Sequence, residues 1–225
     1  MNSRIKLLVS ALTKMFFGFL LMGILLFLPA GTWKYPGAWR LLGLLFVPML
    51  LLGSVLFFKS PELLKKRLQS KEQQSEQKLM VLLSALIFVA GFVLAGLDFR
   101  FRWTQLPEWV ILFSSALFLI SYGLYAEVLR ENAYLSRTVE IQENQKVIDT
   151  GLYGLVRHPM YLAVTLLFLS MPLVLGSAVA VFPFLCIPAV LIKRIHNEEA
   201  VLENGLNGYR EYKNKVKYRM IPFLW

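Results

Sequence analysis

Apolar residues in this chain fall into five long blocks separated by short charged stretches. Four of them cover residues 7–28, 41–58, 79–97 and 109–125. Each approaches the roughly 20 residues a helix needs to cross a bilayer, so each predicts one spanning helix. The first starts basic like a signal peptide, but the following "PAGTW" is a weak cleavage site, and a retained anchor is expected. Trp33, Trp39, Trp103 and Trp109 flank these blocks, as an interfacial aromatic belt requires.

The fifth block, 161–192, is too long for one crossing. A single helix of that length would run about 48 Å against a hydrocarbon core of about 30 Å. Gly176 and Ser177 near its middle offer a turn. The block therefore predicts a tight helical hairpin that borrows flanking residues and is bent by Pro172, Pro183 and Pro188.

The expected fold class is all-α: a polytopic transmembrane protein of about six spans with a C-terminal helical cap on the cytoplasmic side. We read 1–225 as a single integral membrane domain. Residues 1–130 supply the N-terminal transmembrane helices, and 131–225 the catalytic region. Composition agrees, being 57% hydrophobic and 17% charged. Placing the N-terminus inside puts 19 of the 24 lysines and arginines on the cytoplasmic side, and only Lys34, Arg40, Arg100 and Arg102 outside. Lys14 is left within a span, from which it can snorkel. A net charge of +10 would suggest nucleic acid in a soluble protein. Here it reflects cytoplasmic basic loops facing membrane lipids, and nucleic acid is not expected as a partner. The single cysteine, Cys186, is expected to be a small buried hydrophobe. With two widely separated histidines it forms no zinc-type set, so no metal is expected.

Two polar clusters mark the ends of the hairpin. "GLYGLVRHPMY" precedes its first leg and holds Tyr153, Arg157, His158 and Tyr161; "KRIHNEEAVL" follows its second and holds Arg194, His196, Glu198 and Glu199. Taken singly, each residue has a plain explanation. Arg157 suits a headgroup anchor and Pro159 a helix start. Arg194 and Glu198, four apart, suit an exposed ion pair of about 0.3–0.5 kcal/mol. The hairpin, however, makes the clusters spatial neighbours at the membrane surface, where converging polar groups mark a functional site. Upstream, "KVIDTG" combines a short β-type run with a turn and predicts a loop that lays its backbone along a ligand. The charged segment 61–78 reads as a solvated or membrane-surface helix.

"TGLYGLVRHPMYLA", followed by "RIHNEEAVL" and "YREYKNKV", resembles the isoprenylcysteine carboxyl methyltransferase and phospholipid methyltransferase superfamily. The resemblance covers about 146–222; "LENGLNGY" departs from it, being about a residue short and lacking a phenylalanine. It implies a membrane methyltransferase that uses S-adenosylmethionine. The implied cofactor residues are Tyr153, His158, Pro159, Met160, Tyr161 and Glu198, with the backbone of Gln145, Lys146, Val147 and Ile148 lining the nucleoside pocket. Arg194 is the implied contact to the methyl acceptor and, with Glu198, the implied catalytic residue. The implied acceptor is lipidic or prenylated, in the nearest sub-class the carboxylate of an isoprenylcysteine-type group.

The residue types suit that chemistry. His158 and Tyr161 offer a donor edge to the cofactor carboxylate, and Glu198 suits its ammonium. A carboxylate acceptor is already ionised at neutral pH and needs alignment rather than a base; Arg194 suits it as a bidentate partner. An amine acceptor would need a base, Glu199 or His196, and the sequence leaves both acceptors open. A soluble cofactor and a lipidic acceptor call for two entrances, one from the cytosol and one sideways between spans. The competing readings are an NADPH-dependent sterol-type reductase, which shares an "RHPxY" and a "YRxxP" tail, and a non-enzymatic scaffold or transporter.

Overall fold

The structure is a computed structural model and describes residues 3–68, 75–136 and 138–225. Nine helices appear among them: α1 Ser3–Ala30, α2 Pro36–Lys59, α3 Pro61–Leu68, α4 Ser75–Phe101, α5 Glu108–Glu131, α6 Pro159–Val174, α7 Val181–Phe184, α8 Ile187–Gly205 and α9 Tyr209–Lys215. No strand forms among the described residues. Part of the charged segment 61–78, residues 69–74, lies outside them; its start is helix α3.

The chain's prolines explain several boundaries. Ser60 precedes Pro61 and leaves the helical region with φ −145°, which ends α2, while Pro61 starts α3. Prolines also open α2, α6 and α8. Helices α1, α2, α4 and α5 are each long and apolar enough to cross a membrane. Their outward faces carry bare Phe17, Leu51, Leu86 and Phe113. Soluble proteins avoid such continuous apolar surface, whereas lipid matches it. The Lys14 ammonium donates to the Leu68 carbonyl of α3, a polar partner for a cation within α1.

The hairpin forms, but asymmetrically. Its first leg, α6, has 16 residues, about 24 Å of helix. Gly176, at φ +82°, then reverses the chain. The return leg is broken: α7 has four residues, and α8 restarts at Ile187 with Pro188 in its first turn. That break corrects the expectation for Cys186, which precedes α8 and is exposed rather than buried. The expected β-type run at Val147 and Ile148 forms no ladder; it is an irregular segment, with Val147 packed on Leu206, Tyr209, Tyr212 and Val216.

The hairpin turn is fastened to the end of α4 that also meets the α1–α2 and α4–α5 connections. The Tyr35 hydroxyl reaches the Leu175 carbonyl at 3.0 Å, and the Arg40 guanidinium reaches the Val174 carbonyl at 3.3 Å. Buried Asp98 accepts from the Thr104 amide at 2.7 Å, from its hydroxyl at 2.5 Å, and from the Ser177 hydroxyl. Gly37 packs directly on the turn, where a Cβ would stand 2.4 Å from the Leu175 carbonyl oxygen. At the other end of α4, the Gln77 amide lies 3.5 Å from the Arg194 carbonyl. From Gln77 to Asp98 is about 32 Å of helix, close to the hydrocarbon thickness. The two polar clusters of the hairpin therefore share the end of the molecule opposite Asp98. Between the ends lies an apolar core in which Phe88, Phe92, Phe168 and Phe184 pack ring on ring.

Candidate functional site

The entrance to α6 is shaped by the end of α5. Glu131 accepts the Leu152 amide on both carboxylate oxygens, at 3.1 and 3.0 Å. Gly151 sits against that carboxylate at φ +55°, where a Cβ would lie 1.8 Å from an oxygen, so a larger residue would be strained and would have to displace the Glu131 carboxylate. Asn132 then donates to the Tyr153 hydroxyl at 2.9 Å, and the Tyr212 hydroxyl donates to the Tyr153 carbonyl at 2.7 Å. These bonds explain why "DTGLYG" forms a tight 3-10 turn that delivers the chain to His158, the residue just before α6.

The C-terminal tail closes over this entrance. The amides of Arg157 and His158 donate to the carbonyls of Tyr218 and Arg219 at 2.9 and 2.7 Å. The Arg157 guanidinium donates to the carbonyls of Val216 and Lys217 at 2.7 and 2.8 Å. Its Nε also meets Glu199 at 2.7 Å; His158 Nε2 lies 3.2 Å from the same oxygen, and Arg219 reaches the other at 3.0 Å. Glu199, Arg157 and His158 are all buried. Burial alone would raise the Glu199 pKa, but the hydrogen bonds from His158, Arg157 and Arg219 outweigh it and hold the carboxyl well below its usual range. Glu199 is therefore a fixed anion.

Its neighbour Glu198 faces elsewhere. Its carboxylate accepts the Tyr161 hydroxyl at 2.5 Å, and the same hydroxyl lies 3.1 Å from Arg194 Nε. Arg194 and Glu198 thus meet on Tyr161, so the two hairpin legs are joined by side chains from both polar clusters.

Beside this junction lies a cavity of about 430 Å³. Its walls include Gln145, Lys146, Val147, Ile148, Tyr153, His158, Met160, Tyr161, Arg194 and Glu198. Of the residues that the resemblance singled out, Pro159 alone is not among the wall residues, and as the first residue of α6 it sets the helix start. His158 differs from expectation in detail, since its Nε2 is engaged by Glu199. His196 stands apart: it is exposed and its ring lies 5.9 Å from that of Trp225. Deeper in, the wall turns apolar through Val81, Ala85, Phe88, Val164, Phe168 and Leu191.

Several wall residues had no sequence signal. Arg67 of α3 crosses to the Ser136 carbonyl at 2.9 Å and the Tyr125 hydroxyl at 2.6 Å, and reaches within 3.9 Å of the Met160 sulfur. Ser136 and Thr138, from the connection after α5, join it. The contacts of Arg67 span 58 to 93 residues of sequence, which no local spacing reveals. Tyr209 and Tyr212, in "GYREY", also line the wall, and their spacing is the local hint of that role.

These features define a multi-pass helical membrane protein with a cavity at the foot of its last hairpin. Residues 110–204, from α5 nearly to the end of α8, match the model of the Isoprenylcysteine carboxyl methyltransferase (ICMT) family. The resemblance carried by the two hairpin motifs is thereby borne out over those residues. The chain is also 30% identical over 91 residues to the Delta(14)-sterol reductase TM7SF2 of Mus musculus. That similarity covers 39% of this chain and about a fifth, 22%, of the length of the reductase.

Proposed function

We propose that the protein is an S-adenosylmethionine-dependent methyltransferase acting on a membrane-embedded acceptor, of which the carboxylate of an isoprenylcysteine-type lipid is the favoured class. The supporting observation is that one cavity joins both hairpin motifs to an apolar wall. This reading includes six crossings, with both termini and the cavity mouth in the cytoplasm.

The residues fit the cofactor. The cavity is within the usual range for ligand pockets and combines a carboxylate, cationic groups and the non-helical stretch 145–148. Glu198 and Tyr161 would hold the amino-acid end, and the backbone of 145–148 the nucleoside. S-adenosylmethionine, when bound, supplies a methyl group on a sulfonium that leaves as a neutral thioether. The chain's own contribution is alignment: Arg194, held by Tyr161, positions the acceptor, and α6 and α8 keep water from the reacting centre. Neither candidate base suits an amine acceptor, since Glu199 is clamped as an anion and His196 is outside the cavity wall. That favours a carboxylate, which needs no base.

The sideways entrance is placed between α4 and α6 on the Val81 side of the Phe88–Phe168 contact. Val81 and Ala85 line the cavity yet are also exposed on the outer face of α4. Ala85→Trp is expected to raise the KM for a lipidic acceptor at least about tenfold, a loss of some 1.4 kcal/mol, with S-adenosylhomocysteine affinity unchanged. Equal effects on both ligands would move the entrance elsewhere.

Thermal shift of the detergent-purified protein tests the cofactor. S-adenosylhomocysteine at 100 times its Kd should stabilise by about 2.7 kcal/mol. Glu198→Gln should weaken its binding about tenfold or more by removing a charged hydrogen-bond partner. Stabilisation by NADPH alone would favour the reductase reading that the mouse similarity raises, and would reject this one.

A further inference from the structure

Five tyrosines line the cavity: Tyr134, Tyr153, Tyr161, Tyr209 and Tyr212. Four have engaged hydroxyls. Tyr134 donates to the Asn144 carbonyl at 3.1 Å, Tyr153 accepts from Asn132, Tyr161 donates to Glu198, and Tyr212 donates to the Tyr153 carbonyl. The hydroxyl of Tyr209 is shielded from solvent and has no partner. A buried hydroxyl left unpaired costs about 1–3 kcal/mol, so buried polar groups nearly always find one. Nothing about the packing of Tyr209 needs the oxygen. Its ring sits among Leu206, Tyr212, Val216, Val147 and Leu202, a set that phenylalanine would satisfy equally. Burial pushes its phenol up, so it stays protonated and able both to donate and to accept.

We infer that the Tyr209 hydroxyl is a ligand contact, completed by the nucleoside portion of the cofactor through a ribose hydroxyl or a ring nitrogen. The inference rests on the proposed use of S-adenosylmethionine. Its placement follows from Val147, which belongs to the non-helical stretch along the cavity and packs against the Tyr209 cluster. The amino-acid end is assigned to Glu198 and Tyr161 on the hairpin side. Tyr209 lies beyond residues 110–204 that match the family model, and the contact is argued from its unpaired hydroxyl and its place in the cavity wall.

Tyr209→Phe gives a test with opposite signs. In the absence of ligand the variant should melt no lower than the parent, because it removes an unpaired polar atom and keeps the ring. Its affinity for S-adenosylhomocysteine should fall about 5–10-fold, the worth of one hydrogen bond. Titration with 5′-methylthioadenosine, which keeps the nucleoside and lacks the amino-acid group, should show the same fold-loss. A loss seen only with S-adenosylhomocysteine would overturn the nucleoside assignment. A lower melting temperature without ligand, at unchanged affinity, would make Tyr209 purely structural and overturn the proposal. If the parent binds neither compound, the cofactor reading itself fails, an outcome distinct from both.

Discussion

Glu199→Ala is expected to lower the stability of the ligand-free protein by about 3–5 kcal/mol, the usual consequence of removing one member of a buried ionic group. Arg157, His158 and Arg219 would lose their shared anion together, and Arg157 and His158 are themselves buried. The effect should reach the cavity, because the tail carbonyls to which Arg157 and His158 donate are held in place by the same cluster. The pH dependence has a definite sign. Glu199 has a depressed pKa in the folded state, so its contribution is complete above the ordinary value of 4.5 and is lost as the pH falls below it. Melting in detergent at neutral and acid pH should show the parent losing stability below that point. Glu199→Gln should start lower and change less over the same interval. Equal melting temperatures for parent and Glu199→Ala would mean that the cluster does not hold the tail.

The sequence made the architecture readable where a local rule applied. Hydrophobic length placed α1, α2, α4 and α5, and Gly176 with Ser177 placed the hairpin turn. What failed was whatever depended on partners far along the chain. Spacing put Arg194 and Glu198 on one face but could not show that they meet on Tyr161, 33 and 37 residues away. Nor could it reveal which of two adjacent glutamates is buried among cations, since Glu199 owes that to Arg157 and Arg219, 42 and 20 residues distant. Cys186 lies within an apolar block, which predicts burial, but the break between α7 and α8 leaves it exposed. The lining stretch 145–148 came from the family resemblance, local pattern marking only the Val147–Ile148 run and the turn after it; the packing of Val147 against α9 is a tertiary contact that neither showed.

Arg194→Ala is expected to lower kcat/KM for a carboxylate acceptor by about 10²–10³, the scale seen when one preorganised donor is removed from a water-poor site. S-adenosylhomocysteine affinity should stay within about twofold, well under the 1.4 kcal/mol of a tenfold change. The separation follows from geometry. Tyr161 stands between Glu198 and Arg194, so the cofactor side of the junction keeps its Tyr161–Glu198 bond at 2.5 Å when the guanidinium is gone. Arg194→Lys should recover little, because a point ammonium cannot reproduce a planar fork held at its Nε by a tyrosine 3.1 Å away. Tyr161→Phe should behave differently, weakening cofactor binding and turnover together, since that hydroxyl serves both residues. If Arg194→Ala instead loses cofactor binding while Tyr161→Phe does not, the division of the cavity into a cofactor side and an acceptor side is reversed.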